Sequence, residues 1–114
     1  MSALAAVFEN KYQAWRAYCT RPDVMESSSD RPYIDNPFFQ DIVALGSEAV
    51  PLIIGKLKQD PEAHFLIHAL QQITHKRFST EELEAAMQKY GAPLGNQGHI
   101  KLWIDWWEAQ RQGR

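Results

Sequence analysis

A single cysteine, Cys19, carries all the thiol chemistry of this 114-residue chain. It excludes an internal disulfide, and with it the small disulfide-stapled folds of secreted proteins. Long apolar runs are missing as well. A membrane-spanning helix needs about 20 consecutive apolar residues, and the run from Val50 to Ile54 falls far short of that. Neither sign of charge dominates: 12 basic residues face 14 acidic ones, for a net charge of −2. Nucleic-acid binding needs a concentrated basic surface, so nucleic acid is not the expected partner. The longest basic runs, Lys56-Leu57-Lys58 and His75-Lys76-Arg77, are both short. No basic stretch precedes the apolar residues at the start, which argues against a secretory signal. Together these readings lead to the expectation of a cytoplasmic protein. Period-two alternation is absent, so no strand is expected. Serine-hydrolase, P-loop and dinucleotide fingerprints are absent too, and the pair Gly95 and Gly98 is too short for a phosphate loop. No catalytic residue and no cofactor is expected.

What is present is helical periodicity. Hydrophobic residues make up 45% and charged residues 23% of the chain, enough to close one core in one domain over residues 1–114. Leu4, Phe8, Tyr12, Trp15 and Cys19 recur at helical spacing, so residues 1–19 read as an amphipathic capping helix. Residues 20–35, with Pro22, Pro32 and three serines, read as a long loop. Residues 36–75 read as three short helices. Asn36 caps the first, with Pro37 at its opening position. Phe38, Ile42 and Leu45 form its apolar face, and Gly46 ends it. Ser47 opens the second, whose buried face is Val50, Ile53, Ile54 and Leu57. Asp60-Pro61-Glu62 opens the third, which buries Phe65, Leu66, Ala69, Leu70 and Ile73. Residues 79–112 complete the chain. Ser79 and Glu82 form a capping box before a helix carrying Leu83, Met87 and Tyr90 and closed by Gly91. A last helix from about His99 presents Ile100, Trp103, Ile104 and Trp107. The expectation is an all-α fold of about six helices.

The run Ala44-Leu45-Gly46-Ser47-Glu48-Ala49-Val50-Pro51-Leu52-Ile53 resembles a HEAT repeat, and Phe65 to Thr74 and the tryptophan-rich last helix resemble elements of small bacterial HEAT-like proteins. The resemblance implies a short HEAT or armadillo-like stack of helical hairpins, antiparallel across the Leu45-Gly46 turn. It implies a glycine where His75 stands, and makes residues 79–90 an insertion. It also implies an interaction surface rather than a catalyst.

Candidate functional residues follow from the faces left over. His64, His68 and His75, with Gln71 among them, share one direction on the third block helix, opposite its apolar face. Two histidines at i and i+4 can share a metal, with Asp60, Glu62 or His99 as a third ligand. His75 lies too far along the axis for the same ion, and the plainer reading is a polar partner-binding face. Trp106 lies off the apolar stripe and is a candidate anchor for a partner or a second copy of the chain. The Leu45-Gly46-Ser47 turn permits a DNA-reading helix-turn-helix, but residues 48–58 carry few groups to read bases. Asp23, Glu26, Ser27, Ser28, Ser29, Asp30 and Asp35 crowd one loop without the spacing of a calcium site. Cys19 reads as a buried structural thiol. The expected function is a non-enzymatic protein-binding adaptor, regulator or inhibitor-like partner. The alternatives are a metal-binding or enzymatic protein using the histidine stripe and a helix-turn-helix regulator. The candidate contact surfaces are the exposed side of the third block helix, with His64, His68, Gln71, Gln72 and His75, the loop from Thr20 to Asp35, and Trp106.

Overall fold

Helix starts and stops are written by local chemistry, and most act where the sequence places them. The structure is a computed structural model that describes residues 3–26, 29 and 31–112. Ser27, Ser28 and Asp30 of the acid-and-hydroxyl cluster lie outside the described residues, as does the side chain of Glu62. Helix α1 spans Ala3–Cys19. The one-turn helices α2 (Pro22–Met25) and α3 (Arg31–Ile34) follow. Helix α4 (Pro37–Val43) leads through a 3-10 turn, Gly46–Ala49, into α5 (Val50–Gln59). A second 3-10 turn, Pro61–Phe65, opens α6 (Leu66–Thr74). Helices α7 (Thr80–Tyr90) and α8 (Gly95–Gln112) close the chain. Eight α-helices and no strand stand among the described residues, so the fold is all-α with two more helices than expected.

Asn36 accepts the Phe39 N–H at 2.8 Å through Oδ1, and its Nδ2 donates to the carbonyls of Pro32 and Tyr33. It is a buried polar residue, and these bonds are what make its burial tolerable. Ser79 and Glu82 form the reciprocal capping box that opens α7.

Three expectations are corrected. Residues 20–35 contain α2 and α3 and are not a free loop. Val24 is buried, the Trp15 Nε1–H donates to the Tyr33 carbonyl at 2.8 Å, and the Tyr33 ring stacks on Phe65 at 4.3 Å. The prolines that suggested a loop sit instead in the first turns of the short helices. Second, Phe39 rather than Phe38 enters the core: Phe39 is 0% exposed and Phe38 38%. Phe38 lies against Tyr18, with ring centroids 5.4 Å apart. Third, α8 begins at Gly95, ahead of His99. Gly98 is tolerated in its first turns because the Leu94 side chain packs where a Cβ would stand.

Buried residues of α1, α4, α5, α6 and α8 form one cluster. Trp15, Phe39, Ile53, Leu66, Leu70 and Trp103 are fully enclosed in it. The aromatic rings run on from one another, Phe8 to Tyr12 to Trp15 to Phe39, each pair within 6.0 Å. The molecule measures 36 × 36 × 23 Å, and its short dimension fits two layers of helices about 10–12 Å across. Helix α7 stands outside the cluster. It buries Ala86 and is tied to α8 by Lys89 and Tyr90, which both reach Asp105. The segments Pro37–Val43 and Gly46–Gln59 meet at 96°, with Gly46 at φ 77°. That junction is a corner, not an antiparallel reversal. No single helix among the described residues is long and apolar enough to cross a membrane.

Candidate functional site

Helix α6 is buried along one side through Leu66, Ile67, Ala69 and Leu70 and presents the opposite side outward. Its two ends are built differently, and they divide the histidine stripe between them.

At the N-terminal end, His64 lies against Phe65, with ring centroids 4.2 Å apart, and Phe65 stacks on Tyr33 at 7°. These rings wall a recess of about 250 Å³ whose other sides include Cys19 and Met25. Met25 is well exposed, whereas Cys19 is buried. Burial away from water pushes the Cys19 thiol up to about 11. It therefore stays protonated near neutrality and is a poor nucleophile. Thr20, Met25 and Tyr33, from residues 20–35, thus help to build this recess.

At the C-terminal end, an open groove of about 440 Å³ is lined by Gln71, Gln72, His75 and Arg77. All four are exposed. His75 closes α6 in the left-handed conformation, with φ 58° and ψ 17°, and its N–H donates to the Gln71 carbonyl at 2.9 Å. It is the one non-glycine residue with positive φ among the described residues. The chain turns there as a helix-ending glycine would turn it.

The two basic runs fare differently. Lys56 pairs with Glu9 at 2.7 Å and Lys58 with Glu108 at 2.9 Å, so the first run ties α5 to α1 and α8. Those lysines hold the Glu9 and Glu108 carboxyls below the usual carboxylate range. In the second run, Lys76 lies over the Phe78 ring and reaches Glu82 at 3.4 Å. Arg77 makes no ion pair or hydrogen bond among the described residues.

The structure therefore brings Gln71, Gln72 and His75 together, adds Arg77, and places His64 in the separate recess. His68 is half-buried and has an interaction of its own. Trp106 is half-buried, packs edge-on to Trp103 at 5.4 Å and lies at the margin of the core rather than in the α6 groove. His99 contacts the Gly95 carbonyl through Nδ1 at 2.8 Å. Among the described residues no group of three or more His, Cys, Asp or Glu is gathered as a metal would require. On α5 the side away from the core faces α1 across the Lys56–Glu9 pair, and only Pro51, Lys58 and Gln59 of that helix are well exposed. Sequence reasoning missed Arg77, although the basic run containing it was visible. Nothing in the sequence said which of its cations would be consumed by ion pairs.

Compared with family models, curated proteins and solved structures, the chain matches none of them.

Proposed function

We propose that this protein is a non-enzymatic protein-interaction module and that the outward end of α6 is its docking face. The observation that carries this reading is the groove itself. Four exposed hydrogen-bonding side chains, Gln71, Gln72, His75 and Arg77, line one concavity directly above a sealed core. The titratable groups pushed furthest from their ordinary values, Tyr12 and Cys19, are buried and serve packing. In the same proposal residues 36–75 form a short HEAT-like stack. Its support is the packing of α5 against α6, with the aromatic helices α1 and α8 flanking them. The 96° corner is the feature that departs from the pattern.

The test compares affinity purification from the native cell with wild type and with a Gln71→Ala/His75→Asn/Arg77→Ala variant. Asparagine tolerates the left-handed backbone, so the variant is expected to unfold at nearly the wild-type temperature. A partner identified by mass spectrometry and lost by the folded variant is the expected result. Identical recovery with both proteins would remove the groove from the proposal. No reproducible partner, with a dimer on light scattering, would turn the reading toward self-association.

A further inference from the structure

We propose that the groove at the end of α6 takes a carboxylate-bearing peptide, with Arg77 as the residue that recognises the acid. This rests on the docking-face reading above and names the chemistry of its partner. Three observations carry it. First, the lysines of both basic runs are paired with carboxylates of the chain itself, whereas Arg77 has no such partner among the described residues. An exposed guanidinium presents a planar fork of donors that matches a carboxylate with two parallel hydrogen bonds. Second, Gln71 and Gln72 beside it offer amide donors and acceptors, the complement needed for a peptide backbone or for the second oxygen of the acid. Third, His75 holds a left-handed backbone that glycine adopts at lower cost. Residues in sparsely populated backbone conformations cluster at binding sites, and this one is a histidine that lines the groove. A single unpaired guanidinium fits one acidic side chain or chain terminus. It does not form the stripe of cations that a nucleic-acid backbone requires.

The experiment uses a random heptapeptide library displayed on phage, panned against the full chain and against Arg77→Gln. Lys101→Gln, an exposed cation elsewhere, serves as the control. The expected outcome is enrichment of Asp, Glu or a free C-terminal carboxylate. A synthetic copy of an enriched peptide should bind about tenfold more weakly to Arg77→Gln, the loss of one charge-assisted contact. Replacing its acids with amides should cause a similar loss, Lys101→Gln should bind as wild type does, and rising salt should weaken binding. Enriched peptides that lack acids, or that bind Arg77→Gln equally well, overturn the carboxylate assignment and leave the interaction module standing. A library that yields nothing above background overturns both. Displacement of the peptide by inorganic phosphate or a single-stranded oligonucleotide at comparable concentration overturns the carboxylate assignment in favour of a phosphate site.

Discussion

Phe38 and Phe39 are neighbours of the same residue type, and the fold separates them. Phe39 is enclosed among Trp15 and Ile42, while Phe38 leans outward on Tyr18. Deleting a buried phenylalanine ring costs about 3–5 kcal/mol. Phe39→Ala is therefore expected to lose that much in denaturant unfolding, and Phe38→Ala about 1 kcal/mol or less. Equal losses would place the core face of α4 wrongly. His75 behaves in the opposite sense. Its positive φ is a cost borne in the folded state, so His75→Gly should raise stability by about 0.5–1 kcal/mol. A thermal melt that falls instead would mean that the imbalance of backbone strain is outweighed by contacts of the imidazole.

Helices differ in how firmly the molecule holds them. Helices α5 and α6 are clamped in the core by Ile53, Ile54, Leu66 and Leu70, all essentially inaccessible. Helix α7 buries little beyond Ala86, and its capping box secures its start. Local stability tracks buried apolar contact. Amide hydrogens of α7 are therefore expected to exchange well ahead of those of α5 and α6, and Ser79→Ala, which removes one half of the box, should speed α7 exchange further. Uniform protection across the three helices would contradict this order. The start signals themselves were plain in the sequence, because a cap acts within three or four residues. Asn36-Pro37 and Ser79 with Glu82 were legible for that reason. Residues 20–35 were not, because the same prolines open a short helix or bend a loop. What decided between them is Trp15, a helix away, donating to the Tyr33 carbonyl.

At the scale of the whole molecule, two buried acids set an alkaline limit. Burial, aided by the hydrogen bond to Asp60, pushes the Tyr12 hydroxyl up to about 12, and burial pushes the Cys19 thiol up to about 11. A group whose folded value is raised contributes stability that is complete below its unfolded value and lost as pH climbs through the folded one. The unfolded values are about 9 and 10, so the melting temperature should fall from about pH 9 upward. Cys19→Ala should flatten the first part of that fall, and an unchanged melting temperature between about pH 8 and 10.5 would refute the cause. At the acid end the signs reverse. Glu9, Glu82 and Glu108 are held below their ordinary 4.5 by Lys56, by the Ser79 N–H and by Lys58. Their contribution is present above that value and lost as pH falls below it.

By itself the sequence determined the all-α class, the caps at Asn36 and Ser79, and most of the buried faces, from Phe8, Tyr12, Trp15 and Cys19 to Ile100 and Trp103, whereas Ser47 lies inside a 3-10 turn and caps no helix. Those follow from helical periodicity and from hydrogen bonds that close within one turn. Only the tertiary structure decided that α4 and α5 meet at a corner, that His64 and His75 serve different cavities, and that Arg77 is left without an acidic partner among the described residues. Each of those outcomes depends on residues far apart in the chain. A cation is consumed or left over according to which carboxylate a distant helix brings within about 4 Å of it, and that pairing is a property of the packed helices.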